Sequence, residues 1–222
     1  MAAVQRESGS SSLIEATIAY AYNRKGELQP GVSGMRRAYP QFMAAGGEAL
    51  PTDILKVIFP LQHWDLIRQY ATARNLDPYL MAALVATEST FQADVRSGAN
   101  AWGLMQIVPD TGRRYAATLG IRRFTTARLT DPEVNVRIGM AYFSDLLTRF
   151  GDVATALAAY NAGENRASRW RAERGAIDRD EFIDDLPFPE TQSYVKRILG
   201  TAEDYRILYG PLTASAMRES AR

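Results

Sequence analysis

The amino-acid sequence predicts a mostly α protein. Three observations carry that reading. Apolar residues recur at helical spacing over most of the chain, Pro and Gly stand where helices would start and stop, and no alternating apolar–polar run of useful length occurs. The 222 residues, 46% hydrophobic and 23% charged, have globular composition and suffice for one sizeable core, with or without an appended subdomain.

Taken in order, Ser12-Leu13-Ile14-Glu15 matches the S-x-x-E capping box. It predicts a helix with Ile14, Ile18 and Tyr22 on one stripe, ending near Gly26. Residues 26–34 (GELQPGVSG) read as a loop. Residues 35–59, broken by Pro40, Gly46-Gly47 and Pro51, read as two short helices, with Pro60 ending the second. In 61–74, Leu61, Trp64, Ile67 and Ala71 keep helical spacing. Asp77-Pro78 supplies an N-cap and a proline for the first helical position, and Asp131-Pro132 repeats the device.

The helix after Asp131 is expected to reach Phe150 and stop at Gly151. Val134, Ile138, Tyr142, Leu146 and Phe150 form one of its stripes; Val136, Met140, Phe143 and Leu147 form another, so it should be central and buried. Residues 152–163 are alanine-rich, which allows close helix approach, and the charge-dense 164–186 should cover the surface. Pro189 can open a last long helix burying Val195, Ile198, Leu199, Ala202 and Tyr205; Gly210-Pro211 should end it and leave 212–222 as a frayed tail. Any sheet should be small and lie in 91–103 or 120–130.

Composition excludes several chemistries. Lys+Arg at 26 against Asp+Glu at 25 gives no field of one sign that would point to nucleic acid or a membrane surface. With no cysteine there is neither a disulfide scaffold nor a thiol nucleophile. His63 is the single histidine, and it reads as a surface or structural group, so zinc and Ser-His-Asp mechanisms are disfavoured and no metal or other cofactor is expected. No run approaches the roughly 20 apolar residues of a membrane span, and MAAVQRESGSSS has no apolar core of a signal peptide.

One carboxylate stands out. In the helix from Pro78, Met81, Leu84, Val85 and Glu88 fall at i, i+3, i+4 and i+7, which puts Glu88 on the core side where the helix meets a loop. A carboxylate there has a cationic partner, a raised pKa, or a place at the lip of a cleft. A raised pKa in an apolar pocket is the pattern of a general acid for glycosidic cleavage. In the following loop, small residues crowd 97–101, Gln106 offers a donor and an acceptor, and Trp102 can either stack on a ligand or fill the core. Tyr160 and Asn161 are polar groups at the end of an alanine-rich helix, facing a cleft or satisfied locally. Glu190 complements the dipole of the last helix, with Tyr194 four residues on.

Taken together, Glu88-Ser89-Thr90-Phe91, Ser97, GLMQIVPDTG (103–112), AYNAG (159–163) and PFPETQSYV (187–195) stand in one order. That series resembles the catalytic domain of the soluble lytic transglycosylases, in the lysozyme-like superfamily, over about 60–210. The resemblance implies a lysozyme-like domain with at most a small β element, preceded by flanking helices: 1–59 as the helical flank, 60–210 as the catalytic domain and 211–222 as a tail. It implies cleavage of the β-1,4 bond between N-acetylmuramic acid and N-acetylglucosamine in peptidoglycan, without water, leaving a 1,6-anhydro end. Glu88 would be the sole acid/base, one of the substrate-assisted exceptions to the two-carboxylate rule. Ser97 and Gln106 match cleft residues that hold the sugar, Met105 a wall position, Tyr160 and Asn161 the A-Y-N motif, and Glu190 the glutamate associated with the stem peptide. The implied partner is a peptidoglycan strand with its stem peptides, which places the protein in the periplasm or cell envelope. Asn100 stands where a glycine is common, and Glu164-Asn165 replace a frequent Pro-Gly. The rival readings are a hydrolase of muramidase type on the same fold and a glycan-binding scaffold without activity.

Overall fold

The computed structural model describes residues 12–44, 47–174 and 178–219, and the side chains of 48, 174 and 211–219 lie outside that description. The helices are α1 (Ser12–Arg24), α2 (Leu28–Ala38), α3 (Thr52–Ile58), α4 (Trp64–Thr72), α5 (Pro78–Ser89), α6 (Pro109–Thr118), α7 (Pro132–Phe150), α8 (Val153–Ala162), α9 (Glu164–Arg174), α10 (Arg179–Asp184) and α11 (Pro189–Glu219). Short 3-10 turns lie at Pro40–Met43, Gly47–Ala49 and Thr126–Thr130. The only β features among the described residues are two isolated bridges, Arg96 with Trp102 and Trp102 with Ile107. The mostly α reading therefore holds, and the small β element falls where helix signals lapse.

The chain divides into two compact units. The first holds the described residues up to Gln62 and the part of α11 from Asp204 onward. Two expectations fail in it. Residues 28–34, read as a loop, are the first part of the helix Leu28–Ala38. Pro30 sits in the first turn, where its missing N–H has no intrahelical partner in any case. Gly31 and Gly34 serve helix approach: a Cβ on Gly34 would stand 3.0 Å from that of Ala19, and one on Gly31 would stand 3.1 Å from the Ala19 carbonyl oxygen. The buried residues of α1 are accordingly Ala16 and Ala19, while Tyr22 of the predicted stripe is 37% exposed. Small side chains won that face because they permit the closest packing of backbones.

The second failed expectation concerns the end of α11, which runs through Gly210-Pro211 to Glu219 instead of stopping; 220–222 lie outside the described residues. Inside this unit Tyr205, fully buried, donates its Oη to the Pro60 carbonyl (2.6 Å), and Tyr209 donates to that of Phe59 (2.8 Å). These bonds fix α11 up to Tyr209, and the helix continues past the position that reads as a stop signal.

The second unit, His63–Glu203, contains the residues singled out above. Both Asp-Pro devices work as expected. Asp77 accepts from the Tyr79 amide, and Asp131 accepts from those of Glu133 and Val134. Helix α7 is buried on both faces, with Val136, Ile138, Met140 and Phe143 fully enclosed. Helix α8 packs through Ala154, Ala156, Ala158 and Ala159, all fully buried. The charged segment 164–186 is more than a cover, because Ala167, Trp170, Phe182, Ile183 and Leu186 are buried.

Candidate active site

Helix α5 is apolar all round, and Leu80 to Val85 are buried without a break. Such a helix has no solvent face along that stretch, so a side chain at its C-terminal end meets water only through an opening. Glu88 is there. The chain then turns sharply: Thr90 (φ 50°) and Phe91 (φ 59°) both take the left-handed conformation, which non-glycine residues rarely adopt. Ser89, buried, secures the turn by donating its Oγ to the carbonyl of Leu104 (2.8 Å).

The loop from Val95 to Ile107 is held from the far side by Asn135 of α7. Its Nδ2 donates to the carbonyls of Trp102 and Leu129 (2.8 Å each), and its Oδ1 accepts from the Met105 amide (2.8 Å). Two bonds from one fully buried side chain hold a loop that has almost no secondary structure of its own, and the third ties it to the 3-10 turn at Leu129. Gly103 (φ 74°) makes the approach possible, since a Cβ there would lie 2.2 Å from the Leu129 oxygen. Met105 is fully buried, and a Cβ on Gly139 would collide with its sulfur.

The Met105 carbonyl is the acceptor for Tyr160 Oη (2.7 Å). From α11, Tyr194 donates its Oη to Oε1 of Glu88 (2.5 Å). Burial pushes both tyrosines well above the ordinary 10, and the charge of Glu88 pushes the same way, so both stay protonated donors near neutral pH. Glu88 itself is raised to about 7 from the ordinary 4.5. Desolvation by burial raises it, and the Tyr194 hydrogen bond works in the opposite direction. Among the described residues no Lys, Arg or His pairs with it. Of the three outcomes open to this carboxylate, the structure thus selects the raised pKa.

The other residues predicted from sequence take these places. Ser97 Oγ accepts from the Ala101 amide (3.1 Å) within the loop. Gln106, at φ 47°, donates its amide to the Gly103 carbonyl (2.9 Å), and its Oε1 is left as an acceptor. Met105 contributes its carbonyl to the site, while its side chain fills the core. Asn161 Oδ1 accepts from Thr191 Oγ1 (2.8 Å), which ties the end of α8 to the start of α11 beside the exposed Glu190. Trp102 is engaged locally: its Nε1 donates to Asn100 Oδ1 (2.9 Å) and the Arg96 guanidinium lies over its ring.

Sequence reasoning missed two residues. Asn135 carried a signal, a lone amide between Val134 and Val136 on a helix read as buried on two faces. Tyr194 carried none beyond its spacing from Glu190, because its partner lies 106 residues away.

The family model described as the transglycosylase SLT domain matches residues 65–183. The soluble lytic murein transglycosylase of Escherichia coli (strain K12) is 34% identical over 161 residues, covering 71% of this chain and 25% of that protein. A transglycosylase of Enterobacteria phage PRD1 is 41% identical over 113 residues, covering 51% of this chain and 39% of that protein. Among solved structures, the 70 kDa soluble lytic transglycosylase of Escherichia coli superposes with a TM-score of 0.78 at 29% identity, covering 91% of this chain and 32% of that one. An inactive glutamate-to-glutamine mutant of lytic transglycosylase Slt from Pseudomonas aeruginosa gives a TM-score of 0.76 at 31% identity, covering 88% of this chain and 30% of that one. The chain spans about a quarter of the length of the Escherichia coli relative. With more than half of its residues matched by the family model, the chain belongs to the transglycosylase SLT domain family.

Proposed function

We propose that this chain carries the catalytic domain of a peptidoglycan lytic transglycosylase, within residues 60–210, and that Glu88 is its single acid/base. The observation that carries the reading is the carboxyl of Glu88, half-buried, with no cationic partner among the described residues, and raised to about 7. Such a group holds a proton at near-neutral pH and gives it up readily, which is what one residue needs to act as acid and then as base.

The steps are those the family resemblance implies, and the setting of Glu88 supports them. Tyr194 donates to Oε1, so the proton of the neutral acid resides on Oε2. Oε2 protonates the bridging oxygen as its bond to C1 of N-acetylmuramic acid breaks. The 2-acetamido group of the sugar stabilises the cationic C1. The carboxylate left behind keeps the Tyr194 hydrogen bond, takes the proton of the 6-hydroxyl, and O6 closes on C1 as the 1,6-anhydro ring. Glu88 ends protonated, ready for another cycle. Gln106 and Ser97 hold the sugar, Tyr160 and Asn161 stand near the acid/base, Met105 backs the wall through its carbonyl to Tyr160, and Glu190 faces the stem peptide. The substrate assigns the protein to the periplasm or cell envelope. Among the described residues no helix is long and apolar enough to cross a membrane.

The deciding experiment is mass spectrometry of purified peptidoglycan digested by wild type and by Glu88→Gln. Anhydro-muropeptides from wild type alone are expected. Products heavier by one water would make the protein a hydrolase, and equal clearing by the variant would remove Glu88 from the reaction. Binding without cleavage by wild type would leave only a scaffold.

A further inference from the structure

The near balance of charge over the whole chain, +1 in net, conceals a segregation within the second unit. Residues 96–130 carry six arginines against a single acid, Asp110, a net charge of +5. Residues 178–190 carry six acids against a single base, Arg179, a net charge of −5. The two segments are not interleaved, since α6 and the 3-10 turn Thr126–Thr130 pack on α7 while α10 packs on α8. A surface of one sign therefore exists that the total charge does not reveal.

Most of these arginines have no acid to answer them. Arg113 pairs with Asp110, and Arg114 with Glu164 at 3.5 Å. Arg96, Arg122, Arg123 and Arg128 form no ion pair among the described residues. Two of them meet neutral acceptors: Arg96 Nε donates to Asn100 Oδ1 (3.0 Å), and Arg128 Nη1 donates to the Arg122 carbonyl (2.9 Å), which sets two arginines side by side. A cavity of about 550 Å³, lined in part by Arg96, Arg113, Val108 and Thr126, joins the loop, α6 and the turn into one patch. Arg96, Arg113, Arg122 and Arg123 are exposed, and Val108, which shares the cavity with two of them, is 40% exposed. Gathering like charges costs a folded chain self-repulsion, which an anionic partner would relieve. No arginine contributes to the raised proton affinity of Glu88, so the patch stands apart from the acid/base electrostatically.

We propose that this patch is a docking surface for a membrane leaflet rich in anionic phospholipid, held by Arg96, Arg122 and Arg123, with Val108 entering the headgroup layer. The inference rests on the reading above for the compartment alone, since an enzyme of the cell envelope works beside such a surface. Guanidinium groups match phosphate oxygens in geometry and charge. The exposed aliphatic side chain beside them favours a lipid interface over nucleic acid, which offers it no apolar layer. The acidic α10 is repelled by the same leaflet, so the segregation of charge also orients the unit on it. Docking of this kind is peripheral and reversible, each arginine near an anionic surface being worth roughly fivefold in partitioning.

The test is co-sedimentation of the full chain with vesicles, no glycan being present. One set of vesicles is phosphatidylcholine alone, and the other is a mixture of phosphatidylcholine and phosphatidylglycerol. The protein should bind the anionic set alone and leave it as salt is raised. Arg122→Gln with Arg123→Gln should weaken binding about twentyfold, and Arg122→Lys with Arg123→Lys should keep most of it. Arg68→Gln with Arg179→Gln removes as much charge from other surfaces and should leave binding nearly unchanged. Equal binding to both sets, binding to neither, or equal loss from the two glutamine pairs overturns the proposal. Tighter binding to duplex DNA than to the anionic vesicles would make the patch a nucleic-acid surface instead. Release of anhydro products from a soluble strand should be the same for wild type and the Arg122/Arg123 variants; a parallel loss would assign the patch to the glycan and overturn the proposal. Absence of such products from wild type counts against the transglycosylase reading, while the vesicle result stands or falls separately.

Discussion

Glu88 and Glu164 are the same side chain in opposite surroundings within one unit of the molecule. Glu88 ends an apolar helix and meets one neutral hydroxyl, that of Tyr194. Glu164 begins a charged helix and meets two guanidinium groups, those of Arg114 and Arg149. Without a cation, desolvation decides, and the carboxyl of Glu88 is raised to about 7. Glu164, with two guanidinium partners, is one node of a surface network. The lesson is that proton affinity in this fold follows from what the backbone brings beside a carboxylate, and the residue type alone does not set it.

The strongest test of that contrast is Glu88→Gln. It should lower kcat about a thousandfold, the scale of a lost general acid/base, measured as anhydro-product release at saturating strand. The same variant tests the cost of burial. Between 4.5 and about 7 the folded chain keeps a proton that the unfolded chain releases, so wild-type stability should fall as pH rises through that window. Thermal melts should show Glu88→Gln losing this slope and gaining on wild type at pH ~8. Activity of wild type should likewise fall as pH rises through about 7, because the initial acid is lost; a flat profile into the alkaline range would break the contrast.

Next in size is Asn135→Ala. It strips two hydrogen bonds from the loop Val95–Ile107 and one from Leu129, and should cost about 3 kcal/mol in chemical denaturation. Little change would mean that the loop is held by other means.

Tyr194→Phe keeps the ring and removes the donor. Because that hydrogen bond favours the carboxylate, the pKa of Glu88 should rise further, moving the alkaline limb of the pH–rate profile upward. kcat should drop about tenfold, since the basic step loses its charge-assisted bond. An unmoved limb would separate Tyr194 from the acid. Smallest is Glu164→Gln, which breaks two partly exposed ion pairs. It should change stability by less than about 1 kcal/mol and leave the alkaline limb where it is. A limb that shifted with it would show the two carboxylates to be electrostatically coupled.

Much of this was legible because it is local. An Asp-Pro pair caps a helix by itself, and a spacing of i, i+3, i+4 and i+7 places Glu88 on the face of Met81, Leu84 and Val85 without reference to any other element. The order of GLMQ, AYNAG and PFPET was likewise enough to point to the family. The errors came where local signals met tertiary demands. Pro30, Gly31 and Gly34 read as a loop, yet they build α2, because glycine is also what lets it lie against Ala19.

By itself, then, the sequence determined the helical class, the helix starts at Pro78, Pro132 and Pro189, and the carboxylate at the end of α5. Only the tertiary structure decided that Tyr194 and, among the described residues, no cation would meet that carboxylate, and that Asn135 would hold the loop Val95–Ile107. The physical reason is range. Capping and periodicity act within a few residues, whereas proton affinity depends on every dipole and charge that folding brings near, here from a helix 106 residues along the chain.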